Sequence, residues 1–144
     1  MKTSALLLAG LCLLLAALSG CGGSAPVYAD GDYTGRSTPD DTGAFGEVTI
    51  TIKNGAVTDC RFVTWQEDGS LKDEEYGKVN GEISNQAYYN SAQLAVQAME
   101  IYAEQFVAAG TLDDVDVISA ATISHSQFLE AAEEALATAR EKKA

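Results

Sequence analysis

Histidine is almost missing from this chain: His125 is the only one in 144 residues. A zinc centre built on imidazoles needs more than one ring, and a Ser-His-Asp triad needs an acidic partner that the sequence does not place near His125. Basic residues are scarce as well, 9 Lys and Arg against 21 Asp and Glu, for a formal charge of −12. A surface of that sign repels nucleic acid, which excludes it as a partner. The same charge keeps the body of the protein off anionic lipid and favours solubility. No glycine-rich fingerprint opens a helix after a strand, so nothing indicates binding of NAD(P)H by this chain. Cysteine is thin too, at positions 12, 21 and 60. Finally, the longest apolar run, Ala5 to Leu18, is too short for a comfortable membrane span.

That run, preceded by Lys2, reads as a secretory leader. It ends on Leu18-Ser19-Gly20-Cys21, which resembles the lipobox of bacterial lipoproteins. The resemblance implies removal of residues 1–20, diacylation of Cys21, and a domain held by lipid on the extracytoplasmic side of the cell membrane. Two acyl chains anchor stably where one is marginal. The other reading is an ordinary signal peptide cut near Ala17 or Gly20, which strands a free thiol in an oxidising compartment. On the lipoprotein reading Cys60 is the last free thiol, and no intramolecular disulfide is available. Residues 21–29 then form the lipidated Cys and a flexible linker of small residues. Residues 30–144 suffice for one small domain with an ordinary hydrophobic core, in which Cys60 is a buried, inert strand residue.

The clearest local signal is Phe45 to Lys53, where Val48, Ile50 and Ile52 alternate with Thr49 and Thr51. Asn54-Gly55 is the favoured type I′ turn, and Ala56 to Trp65 returns as the partner strand. Pro39 to Gly43 is turn chemistry, and Gln66 to Asn85 is a polar loop. A helix is predicted over 88–109, with Asn90 as N-cap, Gly110 as stop, and Leu94, Ala98, Ile101, Tyr102 and Phe106 as its buried stripe. Leu112 to Ile118 suits a brief strand or extended segment. A last helix is predicted over 125–140, burying Phe128, Leu129, Ala132, Ala135 and Leu136 and turning Glu130, Glu133 and Glu134 to water. The expected class is α+β: a small, mostly antiparallel sheet with a central β-hairpin packed against two or three helices.

The informative stretch is Asp116-Val-Ile-Ser-Ala-Ala-Thr-Ile-Ser-His-Ser-Gln127. Ser124 and Gln127 stand at capping-box spacing, and Ile123 and Phe128 at the positions of a hydrophobic staple. Ser119, Thr122 and Ser124 thus present hydroxyls ahead of a helix N-terminus, whose free N–H groups and dipole suit a phosphate or another anion. The blander alternative is a polar loop whose hydroxyls only cap the helix.

Asp116-Val-Ile-Ser119-Ala120-Ala121-Thr122 resembles the flavinylation motif of the FMN-binding domain family, Asp-x-x-Ser/Thr-Gly-Ala-Thr. It departs at Ala120, where the family has Gly; if that Gly supplies a positive φ, Ala brings strain. Asp30-Gly-Asp-Tyr-Thr-Gly35 resembles the family's opening strand, Tyr76-Gly77-Lys78 resembles an element of its lipoprotein members, and the likeness runs over roughly residues 30–140. The family includes subunits of sodium-pumping and Rnf-type oxidoreductases and bacterial surface lipoproteins. In it a flavin transferase, which needs a divalent cation, moves FMN from FAD onto the last Thr of the motif. The resemblance therefore implies FMN as cofactor, linked to Thr122 by a phosphodiester or held without a bond. Ser119, Ala120 and Ala121 would shape its loop, Asp116 would serve recognition by the transferase, and the N–H groups of Ser124, His125 and Ser126 would hold the phosphate. His125 itself stands close enough in sequence to approach phosphate or ring, the alternative being an idle surface residue. Trp65 and Tyr76 are candidates to stack on the ring, or else core and rim aromatics. The implied role is an electron carrier between a redox protein or quinol and an extracellular acceptor, rather than a turnover enzyme. A flavin-free binding lipoprotein and a flavin-dependent reductase are the alternatives.

Overall fold

The computed structural model describes residues 28–144; the expected leader, Cys21 and most of the expected linker lie outside the described residues. Three antiparallel strands, β1 (Gly31–Arg36), β2 (Phe45–Lys53) and β3 (Ala56–Trp65), form a sheet in that order. Two helices follow, α1 (Gln86–Ala109) and α2 (Thr122–Glu141), separated by a 3₁₀ turn at Leu112–Asp114. The architecture is the small α+β fold expected from the sequence.

The hairpin forms where its turn chemistry puts it. Asn54 and Gly55 have φ of 54° and 74°, the left-handed pair that a type I′ turn requires. Their two N–H groups donate to the Asp30 carboxylate, each at 2.9 Å, which pins the entry of β1 to the turn. Val48, Ile50 and Ile52 are fully buried on one face, and burial of each contributes on the order of 2 kcal/mol. The opposite face carries polar cross-strand pairs: Thr34 with Thr49, Asp32 with Thr51, and Arg36 with Glu47 at 2.7 Å.

Both helices cover the apolar face, α2 over β1 and β2 and α1 over β3. α2 approaches through a seam of Ala131, Ala132, Ala135 and Ala139, all buried. The approach is so close that a Cβ on Gly35 would lie 2.1 Å from the Ala131 carbonyl. Phe128 fills the centre, edge-on to Phe62 and stacked against Tyr102.

Helix boundaries and faces differ from the sequence expectation. α1 starts at Gln86, not Tyr88, because Asn85 rather than Asn90 is the cap; its side chain accepts the Tyr88 N–H at 3.0 Å. The stop at Gly110 stands, with φ 74° and its N–H on the Phe106 carbonyl. The buried stripe runs through Ala92, Ala98, Met99, Tyr102, Ala103 and Phe106. Leu94 and Ile101 are 49 % and 42 % exposed, so they are not core. They lie seven residues apart on one line of the helix, on the flank of the face that meets β3 and α2. α2 begins three residues before His125, and Leu112 to Ile118 forms no ladder.

Candidate functional site

The segment from Val115 to Ile118 has no sheet partner and runs into a turn at Ser119 and Ala120, and side chains from the helices satisfy it instead. Gln105 accepts the Asp116 N–H at 2.8 Å. Tyr102 accepts the Ile118 N–H at 3.0 Å and donates to the Ala121 carbonyl at 3.1 Å, so one buried phenol closes both ends of a turn. His125 reaches the Val115 carbonyl with Nε2 at 2.8 Å. A carbonyl only accepts, so Nε2 carries the proton and Nδ1 is the nitrogen left over.

The turn held by Tyr102 runs Ile118-Ser119-Ala120-Ala121, with the Ala121 N–H on the Ile118 carbonyl at 3.0 Å. Its third residue, Ala120, has φ 68°. This is the arrangement of a type II turn, which selects Gly at that position; an L-residue there costs about 1–2 kcal/mol. The positive φ suspected at residue 120 is therefore present, and Ala bears it.

α2 starts directly from this turn, which corrects the capping expectation. Ala121 occupies the N-cap position and gives no side-chain bond, while Ser124 lies inside the first turn. Gln127 does not reach back to a cap; it is buried, and its Nε2 donates to the Ala44 carbonyl at 3.0 Å and to Asp40 Oδ2 at 3.3 Å. Nor does a staple form, since Ile123 is 63 % exposed while Phe128 is fully buried. The first intrahelical bond runs from the His125 N–H to the Ala121 carbonyl. His125 and Ser126 thus spend their N–H groups in the helix, and the free donors are those of Thr122, Ile123 and Ser124. Thr122, Ser119 and Asp116 are exposed beside them, and Ser124 and His125 are half-buried.

The two aromatic candidates separate. Strand alternation turns Trp65 to the face opposite Thr64, which bonds Met99 of α1. There Trp65 pairs with Phe45 across the ladder and with Leu71, and its Nε1 is buried without a partner among the described residues. Tyr76 instead lines an open cleft of about 340 Å³ with the turn residues Thr42 and Ala44, the acidic Glu67 and Asp68, and Lys72 and Tyr88. The Lys72 ammonium stands 5.0 Å from the Tyr76 ring centroid. Burial pulls the Lys72 pKa below its ordinary value although Asp40 and Tyr88 oppose the shift. The neighbouring Tyr76 phenol pushes Tyr88 up. Lys72, Tyr88, Tyr102 and Gln105 carry no sequence signal of these roles, because each acts through partners distant along the chain.

A larger cavity, about 570 Å³, opens near Tyr28, Val57, Leu136 and Arg140, at the C-terminal end of α2 and away from Thr122. Cys60 borders a third, but burial and then Asp59 push its thiol to about 12, which leaves it protonated and inert. No cluster of three or more His, Cys, Asp or Glu residues is placed to hold a metal among the described residues, and no helix among them is long and apolar enough to cross a membrane.

No curated protein matches the chain. Among solved structures, the CPE2226 protein from Clostridium perfringens is similar, with a TM-score of 0.64 at 23 % identity over 81 % of this chain and 93 % of that one. That likeness speaks for the fold alone. A model of the FMN-binding domain matches residues 43–137, from the turn before β2 to the last turns of α2, and includes the whole of the Asp116–Thr122 loop. The chain belongs to the FMN-binding domain family, and FMN is its cofactor.

Proposed function

We propose that this chain is a lipid-anchored extracytoplasmic electron carrier whose FMN is attached to Thr122 through a phosphodiester. The observation that carries the reading is the start of α2: an exposed Thr122 beside three N–H groups left outside the helix ladder. A hydroxyl with three such donors at the positive end of a 20-residue helix is a donor set that fits a phosphate.

Thr122 carries the ester oxygen, and the N–H groups of Thr122, Ile123 and Ser124 hold the remaining phosphate oxygens. Tyr102, Gln105 and His125 keep the loop in register from below, and Ser119 and Asp116 stand outward where a flavin transferase and its divalent cation can reach them. When bound, FMN supplies one- and two-electron chemistry. The acidic surface selects a basic docking partner on the donor or acceptor side.

Intact mass of the secreted domain, produced with a competent flavin transferase, tests the attachment. The expected gain is about 438 Da, FMN less water, and it disappears in Thr122→Ala. An unshifted mass in a host that flavinylates other proteins removes the covalent reading. The strained Ala120 favours one second reading, a domain that binds FMN without the bond or has lost it. A colourless product from the same host would support loss.

A further inference from the structure

We propose that the exposed strip formed by Leu94 and Ile101 of α1, Val117 of the loop and Ile123 of α2 docks a redox protein whose apolar contact surface is ringed by Lys and Arg. This rests on the electron-carrier reading for the partner's redox character and adds where the partner sits and what it presents. Apolar residues scattered singly over a surface are ordinary, but a contiguous set with a polar rim marks an interaction site. Four of the seven large apolar side chains exposed among the described residues fall in this one strip. Ile101 stands one turn before Gln105 and Leu94 two turns before Ile101, so all three share a line of α1. Hydrogen bonds seat the loop along that line. Gln105 takes the Asp116 N–H, and Tyr102 bonds the Ile118 N–H and the Ala121 carbonyl. Val117, between two residues so held, is therefore beside the Ile101 turn, with its side chain 57 % exposed. Ile123 continues the strip onto α2, next to Thr122.

The charge around the strip decides what covers it. Not one Lys or Arg stands between Lys78 and Arg140, so α1, the loop and the first turns of α2 hold no permanent cation. Glu100, Glu104, Asp113, Asp114 and Asp116 are exposed on these same elements. Asp30 and Asp40 bind turn N–H groups, and Glu47 and Glu133 bind arginines. By contrast, the carboxylates of those five accept no hydrogen bond and enter no ion pair among the described residues. Such a rim repels anionic lipid, and it repels a second copy of this chain, which brings the same charges. A protein with cations about an apolar centre meets both features of the strip. Docked there, it stands beside the residue that carries the flavin.

The probe is ferric cytochrome c, a basic haem protein with lysines about an apolar edge. It is titrated at low salt into the secreted protein, whose intact mass first shows whether flavin is attached. The dissociation constant should rise roughly fivefold or more in Ile101→Ser and in Leu94→Ser. Glu100→Gln combined with Glu104→Gln should slow association and flatten its salt dependence. Val79→Ser and Glu67→Gln, changes in the 66–85 loop, should leave binding as it was. In flavin-loaded protein reduced with dithionite, delivery of one electron to each ferric haem should slow in the strip variants. Reduction of ferricyanide, too small to need the strip, should not. Unaltered affinity in Ile101→Ser and Leu94→Ser, or an equal loss in Glu67→Gln, overturns the docking surface. Parallel slowing with ferricyanide assigns the strip to the flavin instead, and self-association that Ile101→Ser abolishes assigns it to a second copy; either result overturns the proposal. If the mass shows no flavin, the carrier reading fails separately, and the affinities alone decide whether a basic protein docks here.

Discussion

At the scale of single residues, the decisive position is Ala120. Its φ of 68° places an L-residue where a type II turn asks for Gly, immediately before the helix that carries Thr122. Ala120→Gly should relieve that strain and raise stability by about 1 kcal/mol, read as a higher urea midpoint at an unchanged m-value. An unchanged or lower midpoint would mean that the turn bears no strain. Sequence reasoning suspected the positive φ from the family pattern but misread the neighbours. Ser124 and Gln127 have the spacing of a capping box, yet the turn closed by Tyr102 starts the helix earlier and frees Gln127 to bond Ala44. Spacing along one segment carries no information about a phenol on another helix.

At the scale of elements, the fold depends on how closely α2 lies on β1. The alanine seam and Gly35 let backbone meet backbone, and any side chain at residue 35 has nowhere to go. Gly35→Ala should therefore cost about 3 kcal/mol or more, measured by chemical denaturation, with loss of the near-ultraviolet signal from the Phe62, Tyr102 and Phe128 cluster. A variant as stable as the parent would show that α2 shifts freely on the sheet. The hairpin was fully legible beforehand because its signals are local: alternation with period two and an Asn-Gly turn. The exposed face of α1 was not. Leu94 and Ile101 repeat with helical spacing just as core residues do, and only the position of β3 and α2 decides which apolar line is covered.

At the scale of the whole molecule, the acidic excess is partly built into the turns. Backbone N–H groups of Gly55 and Asn54 hold Asp30 below the usual carboxylate range. The Ser70 hydroxyl and N–H do the same for Asp68. Burial pushes Asp40 up, but bonds from Thr42 and Ala44 outweigh it and leave its pKa lowered. Each folded-state pKa is depressed, so the stabilisation is complete above the unfolded value, about 3.9, and is lost as pH falls through the lower folded value. The urea midpoint should accordingly decline below about pH 4, and Asp40→Asn should flatten that decline. Identical acid limbs in variant and parent would assign the loss to general charge effects.

The resemblance marked the loop around Thr122; composition and pattern by themselves determined the class of fold, the hairpin with its turn and the existence of both helices. All of these rest on composition or on spacing within a short segment, which a linear chain records in full. Only the tertiary structure decided that Tyr102, Gln105 and His125 hold the loop, and that Tyr76 lines a cleft that Trp65 does not. It also decided that Lys72 shares a cleft with two tyrosines and that the free N–H groups belong to Thr122, Ile123 and Ser124. Each of those facts joins residues from different elements, and the packing of α1 and α2 on the sheet is what brings them together.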